Sequence, residues 1–347
     1  MGCIHKYGMV KLMFRSLPLV LFGLAGLSAQ SPPKQPPAPA PAQAPPQAME
    51  QDQVIRIDVD LVNIFFNVRT KRGAYAGGLK AEDFDVYEDG KKQVIRSFTR
   101  ETNQPLTLGL LVDVSRSQEN LIEVEKRASS TFFAKVLKPK DMAFILSFGA
   151  DAELLQDLTG SLASLERGLR ELRINAGVQG MVTPSTVPTP GGPRGTVLYD
   201  AVWLAARDRL QNEVGRKAMV MITDGVDVGS RTKIEEAIEA SQKSDAIIFP
   251  VLYEDPRYTS AMFGGYSGEG AMKRLGNETG GRVFRVDRKN TLDDIYKEIE
   301  EDMRTQYAIS YSSSNAARDG AFRRVEIRPK NKDLKIQARR GYYALKN

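Results

Sequence analysis

The chain is poor in the side chains that most enzymes and structural metal sites rely on. Among 347 residues there is one histidine, His5, one cysteine, Cys3, and one tryptophan, Trp203. His5 and Cys3 lie in a leading segment, residues 1–29, in which Lys6, Lys11 and Arg15 accompany the apolar run Leu17–Leu27 and the small residues Ser28–Ala29. This is the layout of a secretory signal peptide, and the run is shorter than the ~20 residues a spanning helix needs. An uncleaved N-terminal anchor is the other reading, and it is the only route by which the sequence suggests a membrane. Cleavage leaves a mature chain with neither histidine nor cysteine. A Ser-His-Asp triad, a Cys-His pair, a His-ligated zinc and a structural disulfide are then excluded. A bound metal would have to take oxygen ligands, which points to a hard cation such as Mg²⁺ or Ca²⁺. Excess charge is also scarce. The net +6 falls to about +3 once the three leading basic residues go, so nothing argues for nucleic acid as a partner.

What is present divides the chain into parts. Length, 41% hydrophobic and 27% charged content fit an ordinary globular protein with room for more than one domain. Residues 30–52 are dominated by Pro, Ala and Gln, which supply too little apolar surface to pack and favour extended polyproline II, so they read as a spacer or tail. Residues 53–104 turn to period-two alternation. There Ile55, Ile57, Val59 and Leu61 switch phase to Val62, Ile64, Phe66 and Val68, which suggests a bulge or a strand that changes sheets. Asp83–Tyr87 and Val94–Phe98 flank Asp89-Gly90, a hairpin signal.

Residues 105–305 alternate apolar strand runs with helical patterns. The strand candidates are Leu106–Val112, Met142–Phe148, Ala218–Thr223, Ala246–Leu252 and Arg282–Val286. The helical stripes include Leu121, Val124, Ala128, Phe132 and Val136, and later Leu292, Ile295, Ile299 and Met303. Runs apolar on both faces and separated by helices imply an α/β fold, a doubly wound and mostly parallel sheet. Residues 306–347 return to strands at Tyr307–Tyr311, Phe322–Arg328 and Leu334–Ala338. Two or three strands rarely stand alone. The two β units are therefore expected to pair into one small antiparallel sandwich-like domain with the α/β domain inserted in it, two separate appendages being the alternative. Arg323, Arg324, Lys330, Lys332, Lys335, Arg339 and Arg340 read as solvated strand faces.

In an open parallel sheet, ligands bind beyond the carboxyl ends of the strands. Three polar clusters fall there: Asp113-Val114-Ser115-Arg116-Ser117 after the first apolar strand, Thr196 in RGTVLYDA opening a helix, and Asp224 in ITDGVD. Taken singly, Ser117 and Thr196 could be helix caps and Asp224 a turn residue. In this order and spacing they resemble a von Willebrand factor type A domain, and Asp113, Ser115, Ser117, Thr196 and Asp224 match the five positions of its metal-ion-dependent adhesion site. The resemblance spans about 200 residues and includes the Thr279-Gly280-Gly281 turn. More loosely, KAEDFDVYEDGKKQVIRSF and RRGYYA are similar to segments of secreted bacterial type-A-domain proteins.

The resemblance implies Mg²⁺, with Mn²⁺ or Ca²⁺ as other hard cations, held by the hydroxyls of Ser115, Ser117 and Thr196 and by Asp113 and Asp224 directly or through water. It also implies a coordination position left for an acidic side chain of a protein partner. The expected protein is thus a secreted, periplasmic or cell-envelope adhesion module and not an enzyme. A metal-independent scaffold and a metal-assisted hydrolase using Asp224 or Asp227 as base are the alternatives. Arg116 and Gln118 depart from the pattern, which often has small and apolar residues there. Asp200 and Asp227 are placed outside the metal's own ligands, Trp203 is expected in the core, and the loops 177–195 and 253–268 are expected to rim the site.

Overall fold

Leu106–Asp113, strand β5, is buried along its whole length, so neither of its faces meets water. Such a strand needs helices on both sides of its sheet. The computed structural model describes residues 61–101, 104–175, 195–255 and 268–346, all within one compact unit, Ile57–Asn347. The signal-peptide and spacer segments lie outside the described residues.

The central sheet joins β5 to β6 (Met142–Phe148), β7 (Ala152–Thr159), β8 (Arg216–Thr223), β9 (Ala246–Leu252) and β10 (Phe284–Arg285) in the order β10-β9-β8-β5-β6-β7. Every pairing is parallel except that of β7, an antiparallel edge strand. The helices are α1 (Ile122–Val136), α2 (Leu162–Glu171), α3 (Leu198–Leu204), α4 (Ile234–Lys243), α5 (Glu269–Thr279) and α6 (Leu292–Arg304). Alternate residues of β5 serve two cores. Leu106, Leu108, Leu110 and Val112 pack with α1, α2 and α6, whereas Leu111 packs with Phe144, Phe148 and the residues of α3, α4 and α5. This is the doubly wound α/β arrangement.

On that second face Gly109 makes room for an aromatic ring. A Cβ there would lie 2.4 Å from the Phe144 ring, which is fully buried. Gly109→Ala is therefore expected to cost about 1–3 kcal/mol through overpacking, measured as a lowered urea midpoint at unchanged slope. An unchanged midpoint would mean that the ring has somewhere else to go.

Two details differ from the sequence reading. The strand expected over Arg282–Val286 shrinks to Phe284–Arg285, and Arg282, just before it, pairs with Asp302 at 3.0 Å and Glu298 at 2.6 Å. The apolar stripe of α1 is also rotated. Val124 is exposed, while Ile122, Glu125, Ala128, Ser129, Phe132, Phe133 and Val136 form the buried face. Ring stacking of Phe132 on Tyr296 (4.2 Å) and a hydrogen bond between the Ser129 and Tyr296 hydroxyls (2.8 Å) set that orientation against α6.

The antiparallel part consists of two four-stranded sheets. One is β13-β1-β11-β4, from β1 (Leu61–Thr70), β4 (Ile95–Glu101), β11 (Gln306–Ser312) and β13 (Leu334–Ala338). The other is β14-β12-β2-β3, from β2 (Phe84–Glu88), β3 (Lys91–Gln93), β12 (Phe322–Pro329) and β14 (Gly341–Tyr343). Strands from before and after the central sheet thus hydrogen-bond to each other, β1 with β11 and β13, and β12 with β2. Their inner faces share one core of Val62, Ile64, Phe66, Val68, Phe84, Val86, Tyr307, Ile309, Tyr311, Val325 and Ile327. The phase switch expected near residue 61 falls at the edge of the described residues, and from Leu61 onward β1 is continuous. The Asp89-Gly90 turn joins β2 to β3, not to Val94–Phe98. Val94 points outward and Ile95–Glu101 crosses to the other sheet beside β11, where Phe98 stacks on Tyr307 at 5.3 Å.

Of the basic residues expected to be solvated, Arg323 is buried and paired with Asp319 at 2.9 Å, and Arg339 pairs with Asp245. The end of α6 is bound to β1 by one buried carboxylate: Asp302 accepts from Arg69 (2.8 Å), Tyr75 (2.8 Å), Asn67 (3.3 Å) and Arg282 (3.0 Å). Among the described residues no helix is long and apolar enough to cross a membrane.

Candidate metal centre

Strand order decides where a crevice opens. From β5 the chain adds β6 and β7 on one side and then returns from β7 to lay β8 on the other side of β5, where the sheet's winding reverses. The carboxyl ends of β5 and β8 therefore border a topological switch point, the usual ligand position of an open α/β sheet. Asp113 ends β5, Thr223 ends β8 and Asp224 follows it.

The side chains meet across this crevice. Asp113 is fully buried; its Oδ1 accepts the Ser115 N–H at 2.9 Å and its Oδ2 accepts the Thr223 hydroxyl at 2.7 Å. The Ser115 and Ser117 hydroxyls are 3.0 Å apart, and Ser117 donates to Asp224 Oδ2 at 2.6 Å. Asp224 Oδ1 also accepts the Val226 N–H at 3.0 Å, closing a local turn. Ser115 stands at the N-cap of a single 3₁₀ turn, Arg116–Gln118, but its side chain makes no capping bond. The serines thus spend their hydroxyls on each other and on Asp224.

Two carboxylates in one cluster, Asp113 buried and Asp224 half-buried, repel. Burial first, and the charge of Asp224 second, push the Asp113 carboxyl up to about 7. Among the described residues neither Asp113 nor Asp224 has an ion-pair partner. No group of three His, Cys, Asp or Glu side chains capable of holding a metal occurs among the described residues, so a cation here would lean on hydroxyl oxygens. Two carboxylates with neutral hydroxyls between them suit a hard cation that tolerates water in its shell.

Thr196 reaches this end of the sheet by its backbone. Val197 N–H donates to Gly149 O at 2.9 Å, and Gly149 follows Phe148, whose carbonyl accepts the Val114 N–H at 2.8 Å. The Thr196 carbonyl accepts from Val228 and Gly229 (3.1 and 3.0 Å), which lie on the loop after Asp224. Among the described residues no hydrogen bond ties the Thr196 hydroxyl to the other four side chains. It is not a helix cap either, for α3 has Val197 at its N-cap with no side-chain capping bond.

Thr223 and Glu125 went unread in the sequence, and Gln118, Asp200, Asp227 and Trp203 acquire partners that it did not reveal. Thr223 is the last residue of an otherwise apolar run, and its hydroxyl both donates to Asp113 and accepts the Gly225 N–H at 3.0 Å. Gln118 is fully buried and donates to Tyr253 O at 3.2 Å, linking the 3₁₀ turn to the end of β9. Glu125 is buried, and among the described residues neither of its carboxylate oxygens is hydrogen-bonded; burial, and then the charge of Asp113, hold it well above the usual carboxylate range. Asp227 accepts the Leu198 and Tyr199 N–H groups at 2.9 and 3.3 Å, and burial raises its carboxyl as well. Asp200 accepts the N–H groups of Arg231 and Thr232. Trp203 is only half-buried, with the Arg207 guanidinium 4.9 Å from its ring centroid, on the wall of a groove of about 640 Å³ between α3 and α4. Most of the two loops expected to rim the site, 176–194 and 256–267, lies outside the described residues.

No protein-family profile and no curated protein matches the sequence. Solved structures with similar folds do align with it. They include a von Willebrand factor type A protein from Catenulispora acidiphila, at 12% identity over 83% of this chain and 74% of that one, with a TM-score of 0.43. BatB from Bacteroides thetaiotaomicron aligns at 20% identity over 57% of this chain and 96% of that one, with a TM-score of 0.40. Proximal thread matrix protein 1 of the mussel byssus, with zinc in its MIDAS motif, aligns at 12% identity over 62% of this chain and 50% of that one, with a TM-score of 0.43. The fold and what the cluster can bind follow from this chain's own residues.

Proposed function

We propose that Asp113, Ser115, Ser117, Thr196 and Asp224 form a divalent-cation site through which an exported protein binds an acidic side chain of a partner protein at the cell envelope. The observation that carries this reading is the pair of carboxylates at the switch point: Asp113 and Asp224 lie in one cluster, linked through Ser115, whose N–H bonds Asp113 and whose hydroxyl meets that of Ser117 on its way to Asp224, and have no ion-pair partner among the described residues. When bound, Mg²⁺ supplies a positive centre with a coordination position that a carboxylate from outside can take. Around it, Asp113 and Asp224 supply the compensating charge and the serines orient their lone pairs by bonding to each other. Thr223 and the Ser115 N–H hold Asp113 in place. Binding and not turnover is the proposed outcome, since the mature chain would have no histidine or cysteine to serve as base or nucleophile. Export rests on the composition of residues 1–29, and the Pro-rich segment after it would serve as the spacer.

The test has two stages. Calorimetric titration of the full chain with Mg²⁺ and with Mn²⁺ is expected to show one site. Envelope proteins are then passed over the immobilised protein in Mg²⁺ or in EDTA, with Asp113→Ala as control. Capture that needs Mg²⁺ and is lost with Asp113→Ala supports the reading. Capture that survives both EDTA and the substitution would replace it with a metal-independent scaffold.

A further inference from the structure

A short helix that carries a ligand at its start must itself be held. Helix α3 is seven residues long and lacks a capping side chain of its own. Its first N–H groups would be orphans, yet they are taken from a distance. Asp227 Oδ1 accepts from Leu198 (2.9 Å) and Tyr199 (3.3 Å), and the Ser230 hydroxyl oxygen accepts from Tyr199 (3.0 Å) and Asp200 (3.2 Å). Ser230 in turn donates to Asp227 Oδ1. The cap thus comes from the loop that begins with Asp224.

The same loop grips the residue just before the helix. Val228 and Gly229 donate to the Thr196 carbonyl, while Val197 is held by Gly149 on the β6 side. The backbones touch so closely that a Cβ on Gly229 would lie 2.4 Å from the Gly195 carbonyl, and one on Gly195 would lie 2.5 Å from the Val228 Cβ. Residue 196 is therefore bracketed between the loop bearing Asp224 and the strand end beside Asp113. Nothing local in RGTVLYDA does this, because neither Thr196 nor Val197 caps the helix.

We propose that Asp227, assisted by Ser230, is the positioning residue of the cluster: it caps α3 from across the crevice and so holds Thr196 where it can serve as the fifth donor. The inference rests on the metal-binding reading above, and it assigns Asp227 no contact with the cation. It also gives Asp227 a different task from the general base that a hydrolase would ask of it. Removing its carboxylate frees the N–H of Leu198, leaves that of Tyr199 to the Ser230 hydroxyl, which itself loses its acceptor, and so lets the first turn of α3 fray and leaves Thr196 loosely placed.

The test uses the full chain and reads Mn²⁺ by the loss of its free-ion electron paramagnetic resonance signal. Asp227→Ala is expected to weaken Mn²⁺ binding about 10–100-fold, the usual effect of losing a residue that orients a ligand. Asp227→Asn keeps an acceptor oxygen and is expected to stay within about 3-fold of the wild type. Ser230→Ala, a milder change that keeps Asp227 in place, should fall between them. Because Asp227 acts through Thr196, Asp227→Ala combined with Thr196→Val should bind no more than about 3-fold worse than the weaker single variant. Amide hydrogen exchange at Leu198 in the metal-free protein should speed up in Asp227→Ala, which checks the clamp without any metal. Unchanged exchange, wild-type affinity in Asp227→Ala, or losses that multiply in the double variant would overturn the proposal. A wild type that binds no Mn²⁺ would instead remove the metal reading beneath it.

Discussion

Asp113→Asn is expected to raise the melting temperature of the metal-free protein at pH 8 and to abolish the further rise that Mg²⁺ produces in the wild type. Opposite signs in the two states follow from the site's charge. Without a cation, the fully buried Asp113 carboxyl faces Asp224 and is pushed up to about 7. Its ionisation therefore opposes folding. Asparagine keeps an acceptor for the Ser115 N–H and removes the charge. With Mg²⁺ at about 100 times its dissociation constant, the wild type gains about 2.7 kcal/mol, or about 5 °C for a chain of this size. The variant loses a carboxylate ligand and is expected to bind more than about 100-fold more weakly, beyond the usual cost of an outer residue.

The pH dependence has a defined sign. The Asp113 carboxyl is raised in the folded metal-free state, so its destabilising share is absent below the unfolded value of about 4 and complete above about 7. Protons compete with the cation over that window. The Mg²⁺-induced rise in melting temperature should accordingly be larger at pH 8 than at pH 5.5. Scanning calorimetry at the two pH values, with Mg²⁺ or EDTA, checks both claims. A metal-induced rise that survives Asp113→Asn would count decisively against the site.

Glu125→Gln is expected to stabilise the protein at pH 8 by roughly 1 kcal/mol or more, because glutamine stays neutral where the buried carboxyl must either ionise or hold its proton against the solvent. Glu125 lies on the inner face of α1 with no hydrogen-bond partner for either oxygen among the described residues. Burial and the charge of Asp113 both raise its carboxyl. A raised acid makes the folded state hold its proton longer than the unfolded one, so stability falls as pH rises above the unfolded value of about 4.3. Glutamine has nearly the same shape and no charge to lose. Its advantage should shrink towards zero as the pH falls to 4, which urea denaturation at several pH values would reveal. An equal gain at every pH would assign the effect to packing and not to charge.

The strands of the central sheet were legible because burial on both faces leaves an unbroken apolar run, as in Leu106–Val112 and Ala246–Leu252. Antiparallel β7 was not, since an edge strand such as AELLQDLT is half-exposed and its composition is mixed. The hairpin at Asp89-Gly90 was legible as a turn, but its partner strand was misplaced. Only the position of β11 decides that Ile95–Glu101 leaves β2 for the other sheet. Likewise the spacing of Leu121, Val124 and Ala128 defined a helix without defining its rotation. The buried face passes through Glu125 because Ser129 and Phe132 meet Tyr296 on α6, a contact between residues 167 apart in sequence.

By itself the sequence determined the chemistry on offer: no histidine or cysteine beyond residue 5, hence oxygen donors only, and carboxylates and hydroxyls placed at strand ends. Periodicity determined the α/β alternation as well, because burial on one or two faces is written into local spacing. Tertiary structure alone decided that β5 and β8 lie side by side, which brings Asp113, Ser117 and Asp224 into one hydrogen-bonded cluster. It also made Asp227, which the sequence only placed outside the metal's ligands, the cap of a helix that begins 29 residues earlier in the chain. Those contacts depend on strand order and crossover direction, which the whole core settles by burying both faces of the sheet, and no local stretch of sequence carries that information.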